Sequence, residues 1–221
     1  MRLNADFFER VVVRPDDYQW VDSPSAGVKR MMLDRVGEEV ARATSLVRFV
    51  ANATFPEHTH GAGEEFLVLE GAFGDEHEIY PVGTYVRNPA GTTHSPRVGP
   101  EGCLIFVKLR QFDDTDQAQF ALDTSGAEFS EGPMPGIEYL ELHEHQGERA
   151  ALIRWGPDTP FRRHEHDRGE EVLVLEGAFF DEFGAYPAGS WVRSPHGSQH
   201  EPFTREEGAL IYVKTGHLPA Q

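Results

Sequence analysis

The sequence predicts an all-β protein built as two tandem jelly-roll β-barrels related by internal duplication. Three observations predict it. The first is a repeat at one fixed spacing: the differences 164 − 58, 170 − 64, 177 − 71, 189 − 83 and 200 − 94 all equal 106, and residues 54–108 laid over 160–214 give 30 identities in 55 positions without a gap. The second is a run of short β-prone segments, broken by Gly, Pro, Asn and Asp, with almost no helical periodicity. The third is a constellation of metal-ligand residue types, His58-x-His60-x3-Glu64 and Pro89-x-Gly91-x2-His94, that returns whole as His164, His166, Glu170 and His200.

Taken in order, residues 1–27 hold RVVVR and YQWV separated by Pro15-Asp16-Asp17, which read as edge strands or an arm. Strands follow at VKRMML, TSLVRFVA, EFLVLEG, TYVRN and CLIFVKLR, and the second half repeats them as IEYLEL, ERAALIRW, EVLVLEG, SWVRS and ALIYVK. Only Asp113 to Ala121 has helix formers and few breakers. With TSGAEFSEGPMPG it reads as a linker, giving a first barrel with its leading arm at 1–112, a linker at 113–136 and a second barrel at 137–221. A chain of 221 residues is long enough for two such cores.

Composition narrows the function. The net charge, 20 − 37 = −17, would repel a phosphate backbone, so no nucleic acid is expected as a partner, while a small or cationic ligand remains open. No apolar run approaches membrane-spanning length and the start lacks a long apolar region, so the expectation is a cytoplasmic protein without a membrane. Cys103 is the only cysteine, and Ala209 holds its place in the second copy; the expectation is a small buried core residue rather than a redox nucleophile.

The repeated residues suit a metal. In a strand, residues i and i+2 share a face, so His58 and His60 reach one point, Glu64 follows after a turn, and His94 supplies a fourth donor. The predicted ligand sets are His58, His60, Glu64 and His94, then His164, His166, Glu170 and His200. Three imidazoles and one carboxylate suit Zn(II), Fe(II), Mn(II), Ni(II) or Cu(II), one ion per barrel. Strand parity places Phe66 and Val68 inside with Glu64, and Val172 and Val174 inside with Glu170. Glu65, Leu67 and Leu69, and Glu171, Leu173 and Leu175, then face outward. A strand apolar on both faces is covered on both, so the outward leucines are expected in a contact between barrels or between chains.

Other polar residues are expected to be structural. His143 and His145 form an HxH with no glutamate or fourth histidine to complete it, and His77 and His217 are expected to be exposed. Arg48, Arg154, Arg87 and Arg193 recur at the same offset and would either hold a carboxylate ligand or pair with the acidic surface, the commoner case. Tyr80-Pro81 and Tyr186-Pro187 read as turn punctuation. No catalytic residue beyond the ligands can be named.

The pattern H-x-H-x3-E-x6-G followed by G-x5-P-x-G-x2-H resembles the paired signature of the cupin superfamily, and its x6-Gly spacing favours Glu64 and Glu170 over Glu65 and Glu171. The stretch EEFLVLEGAFGDEHEIYPVGTYVRNPAGTTH more narrowly resembles the cupin domain of ChrR-type anti-sigma factors. Asn52 and Asp158 stand where the pattern usually has a glycine, and both tolerate a left-handed turn. Val98 and Thr204 stand where an asparagine is frequent. The resemblance implies zinc, a link to oxidative stress signalling and a sigma factor as partner. The helical sigma-binding domain of such proteins, with its own His and Cys ligands, has no counterpart here. The expectation is therefore a regulatory or stress-sensing bicupin, with a second copy of the chain among its candidate partners. Its rival is a non-haem metal-dependent dioxygenase acting on a small diketone-like or flavonol-like substrate.

Overall fold

A computed structural model describes residues 1–220. Among them the chain is almost entirely strand and turn, with one 3-10 turn at Pro15–Asp17 and no α-helix, so Asp113 to Ala121 is not helical. Its polar residues instead carry the chain to the short strand Phe120–Asp123. No helix is long and apolar enough to cross a membrane.

The chain divides into two units, each a cupin-type jelly roll. The first unit holds a nine-stranded antiparallel sheet whose main path runs Arg2–Leu3, Val28–Gly37, Ala41–Phe49, Arg97–Leu109, Glu64–Gly74, Thr84–Asn88, Phe120–Asp123. A two-stranded ladder of His58–Thr59 with Thr93–His94 completes it. The second unit repeats the plan with Ile137–His145, Glu148–Trp155, Phe203–Thr215, Glu170–Asp181 and Trp191–Ser194, and with the ladder His164–Glu165 against Gln199–His200. Every strand expected from the repeated segments is present.

The unit boundaries depart from 1–112 and 137–221. The first unit is Met1–Ala5 with Gln19–Ala127, and the second is Asp6–Tyr18 with Glu128–Gln221. Strand Val11–Val13 pairs with Trp191–Ser194, Val11 lying opposite Arg193. Strand Phe120–Asp123 pairs with Thr84–Asn88, Phe120 lying opposite Arg87. The leading arms of the two copies thus take equivalent places, each adding an edge strand to the sheet of the other copy. The linker of the sequence reading supplies the second of these strands. Nothing in hydropathy distinguishes a strand that pairs with its own copy from one that pairs with the other.

The core of the first unit gathers Phe66, Val68, Phe73, Val86, Ile105 and Val107, and that of the second Val172, Val174, Phe179, Val192, Ile211 and Val213. These are the residues that share a face with Glu64 and Glu170, so the predicted parity holds. Leu67 and Leu173, on the outward face, are 2% and 1% exposed, so both faces are covered. Leu69 and Leu175 are only half-buried. A register shift falls beside each, between the pairs Val68–Ile105 and Glu70–Leu104 and between Val174–Ile211 and Glu176–Leu210, leaving the extra residue unpaired. The strand then bends at Gly71 and Gly177, with φ of 67° in both, where a β-carbon would collide with the carbonyl of Gly102 or Gly208. Asn52 and Asp158 adopt φ of 57° and 49°, the left-handed geometry expected in place of glycine.

Candidate metal centres

Each candidate centre is assembled by three local devices. The short ladder sets His58 opposite His94 and His164 opposite His200. The next histidine is clamped by its backbone: His60 N–H donates to Thr92 O at 2.9 Å and its carbonyl accepts from Gly91 N–H at 2.8 Å, and His166 does the same with Ser198 and Gly197 at 3.0 Å each. Turns through Gly63 and Gly169, at φ of 81° and 72°, then start the strands that carry Glu64 and Glu170 inward.

In the second unit, His164, His166, Glu170 and His200 offer donor atoms within 4.8 Å of one another; in the first, His58, His60 and His94 do so. Glu64 lies beside that cluster, its Oε1 3.3 Å from His60 Nε2 and 3.9 Å from His94 Nε2, while the Nε2 atoms of His94 and His58 are 3.2 Å apart. Two donors about 2.1 Å from one tetrahedral ion stand about 3.4 Å apart, so these separations match a shared cation. Nε2 of His60, His166 and His200 is buried without a hydrogen-bond partner, a costly arrangement unless a further electrophile meets it. The donor set and the unpartnered nitrogens therefore fit a divalent ion in each barrel.

The electrostatics agree with neutral imidazoles. Burial pushes the His166 ring down to about 3, with the neighbouring His200 and His164 adding to the effect. Burial likewise lowers His94 and His164. The two carboxylates differ. Burial raises Glu64, but the neighbouring His60 ring, with those of His94 and His58, outweighs it and leaves the group below its ordinary range. Glu170 is left above its ordinary range by burial, with Asp181 adding to it against the opposing effect of His200 and Arg10. The rings explain the difference, since His60 presents Nε2 to Glu64 whereas His166 presents Nδ1 to Glu170 at 3.6 Å.

Behind the histidines lies a layer that sequence reasoning missed. Asp75 Oδ2 stands 3.8 Å from His94 Nδ1, and Asp181 Oδ2 3.4 Å from His200 Nδ1. Each aspartate accepts a hydrogen bond from a buried tyrosine hydroxyl, Tyr80 at 2.9 Å or Tyr186 at 2.7 Å, and two backbone N–H groups. Arg10 from the leading arm pairs with Asp181 at 2.8 Å. A carboxylate hydrogen-bonded to Nδ1 fixes the tautomer and aims Nε2 at the ion; Asp181 is close enough to do this for His200, whereas Asp75 stands beyond hydrogen-bond distance of His94 Nδ1. The tyrosines are thus more than turn punctuation. The signal was present, because Asp75 and Asp181 also recur at offset 106.

Other expectations separate cleanly. Arg48 pairs with Glu70 at 2.8 Å and Arg154 with Glu138 at 3.0 Å, all four about half-exposed, which is the surface pairing expected. Arg87 and Arg193 are fully buried instead: Arg87 bridges Glu65 and Asp116, and Arg193 donates to the Asp6 carbonyl at 2.7 Å and covers the Phe7 ring. Glu65 does face away from the metal ligands, but it meets Arg87 and the Tyr85 hydroxyl rather than solvent. His77 is exposed, whereas the His217 side chain is buried against Glu171 at 3.1 Å, because the chain end folds back. His143 and His145 lie on Ile137–His145, outside both clusters. Cys103 is buried, and burial pushes its thiol up to about 12.

Fold and site together define a double cupin with a candidate metal centre in each half. The family described as the ChrR Cupin-like domain matches residues 8–113 and again 117–219, and the chain belongs to that family. No curated protein matches the sequence. Solved structures of similar fold include a proposed dioxygenase from Nostoc punctiforme, at 18% identity and TM-score 0.76, with 100% of this chain and 84% of that one covered. Protein YlbA from E. coli follows at 14% identity and TM-score 0.72, covering 98% and 94%. Oxalate decarboxylase from Lactobacillus farciminis shares 12% identity at TM-score 0.66, covering 95% and 87%. At these identities the likeness is one of fold.

Proposed function

We propose that the protein is a metal-binding bicupin of ChrR type that holds one divalent ion in each barrel, zinc first among the candidates, and acts as a regulatory or stress-sensing module. The observation that carries this reading is the pair of buried Nε2 atoms of His60 and His200, which meet no hydrogen-bond partner and face the carboxylates of Glu64 at 3.3 Å and Glu170 at 3.8 Å where the other histidines gather. Bound there, zinc would act as a Lewis acid and as a structural tie. The chain's own residues do the rest. The histidines and glutamates offer lone pairs, and Asp181 holds the His200 ring in one tautomer. Elemental analysis after removal and return of metal should find about two ions per chain, with folding and occupancy linked. A chain that takes up no metal, or whose uptake is unchanged by His60→Ala and His166→Ala together, overturns the reading.

A second reading is favoured by one observation, a cavity of about 350 Å³ that reaches His164, His166, Glu170 and His200. Room beside a metal suits a non-haem dioxygenase acting on a small diketone-like or flavonol-like substrate, with iron, manganese or nickel in place of zinc. Oxygen uptake by Fe(II)-loaded protein given 1,3-diketones separates the two readings. The same cavity favours a small molecule over a sigma factor as the partner, and sedimentation would test for a homodimer.

A further inference from the structure

We infer that the two barrels divide the work, and that the second alone receives a ligand: a small molecule with an apolar body and a single oxygen donor, neutral or carrying one negative charge. The inference rests on the metal reading above. It starts from two positions beside the carboxylate ligand. In the first barrel Glu64 is paired across the sheet with Leu109, and Phe66, the next inward residue, with Val107. In the second barrel Glu170 is paired with Thr215, and Val172 with Val213. Phe66 and Leu109 are thus replaced by Val172 and Thr215, both smaller and both lining the cavity.

The far end of the barrel changes in the opposite sense. The cross-strand pair Val28–Phe49 becomes Ile137–Trp155, and Val47 becomes Ile153. Side-chain volume has been moved away from the carboxylate and toward the far end, so that space opens next to the ligands of the second barrel. In the first barrel the Phe66 ring, 1% exposed, packs 5.1 Å from Phe73 and 6.2 Å from Tyr80 and occupies that place.

The lining sets the ligand's chemistry. Its walls are aliphatic and aromatic, Trp155 and Phe161 standing 5.8 Å apart with Phe161 5.0 Å from His164, and the Thr215 hydroxyl is the neutral polar group beside Glu170. The ionisable residues of the lining are the three histidines, Glu165, Asp167 and Glu170; none is Lys or Arg. A dianion such as oxalate would find one cationic partner, the ion, already shared with Glu170, and no Lys or Arg in the walls, which leaves a charge uncompensated in an apolar cavity. One oxygen on the ion and an apolar body against Trp155 and Phe161 suits the walls. At about 350 Å³ the cavity lies at the small end of ligand sites.

The test is calorimetric titration of metal-loaded full-length protein with benzoate and with oxalate, alongside elemental analysis of every sample. Wild type should bind one benzoate per chain, and oxalate more weakly. Val172→Phe and Thr215→Leu restore the residues of the first barrel, so metal content should stay and benzoate affinity should fall about tenfold or more. The converse double change, Phe66→Val with Leu109→Thr, should add a second benzoate site, and it decides the matter if a filled second barrel fails to fold. Full metal with benzoate affinity unchanged in Val172→Phe, no benzoate binding to loaded wild type, or tighter binding of oxalate would each overturn the ligand assignment alone. Absence of metal from wild type would overturn the metal reading and take the ligand assignment with it.

Discussion

Replacing Glu65 by Gln separates the two glutamates that stand side by side in the sequence. Glu65 is 1% exposed and accepts hydrogen bonds from the Tyr85 hydroxyl and, at 2.8 Å, from Arg87, itself 1% exposed. Glutamine keeps the shape but not the charge. Breaking a buried pair by removing one partner costs about 3–5 kcal/mol, because the survivor is left buried and uncompensated. Here Arg87 keeps Asp116, 4% exposed, and the Phe112 ring 4.0 Å from its guanidinium carbon, so the lower end of the scale applies, about 3 kcal/mol. For a unit of this size that is a fall of roughly 10 °C in the melting temperature of the first barrel. Metal content should not change, since Glu65 faces away from the ligands. Glu64→Gln should do the reverse, lowering occupancy of the first centre while the second stays loaded. Scanning calorimetry of metal-free protein and elemental analysis of loaded protein read the two effects separately. If Glu65→Gln stripped metal from the first barrel and left its melting unchanged, the parity argument and the inward assignments of Phe66 and Val68 would fall together.

Asp181→Asn leaves every ligand atom in place but weakens the hold on the His200 ring; metal affinity of the second barrel should drop about 10–100-fold in a chelator competition, whereas Asp75→Asn, with its carboxylate 3.8 Å from His94 Nδ1, should lower that of the first barrel less. Cys103→Ala should fold and load metal normally at a cost of about 1 kcal/mol, as Ala209 does in the second copy. With the thiol pushed up to about 12, the reactive thiolate is scarce until pH approaches that value. Iodoacetamide labelling of folded protein should therefore stay slow through the pH range where the denatured chain reacts quickly, and rapid labelling near neutral pH would contradict the burial. Removing residues 1–18 takes away Val11–Val13, the Arg10–Asp181 pair and the Asp6 carbonyl that holds Arg193. It should lower the melting temperature of the second barrel more than that of the first.

The ligand-type residues and the strands were legible because each depends on local spacing. An i, i+2 pair of histidines needs only strand geometry to share a face, and the offset of 106 carries the pattern from one copy to the other. The spacing to Gly71 chose Glu64 over Glu65 and parity then set the two on opposite faces, which holds because the register shift falls at Leu69 rather than at the double glutamate. What could not be read depends on contacts far apart in sequence. The destination of Val11–Val13 is fixed by an edge some 180 residues away (192 − 12 = 180), and the burial of Arg87 depends on Asp116 as its second carboxylate partner. The role of Asp181 was hidden for another reason. An aspartate before a turn is ordinary turn chemistry, and only the turn's placement behind His200 makes it a support for that ring.

The exchanged arms also impose an order in time. Ribosomes add about 5–20 residues per second. Phe120–Asp123 meets an edge strand, Thr84–Asn88, that has already been made, so the first barrel can be finished as soon as that segment is free. Val11–Val13 is made some 180 residues (192 − 12 = 180) before its partner, Trp191–Ser194. The arm must therefore wait for roughly 10–40 s of synthesis, with its three consecutive valines unpaired, before it can close the edge of the second barrel.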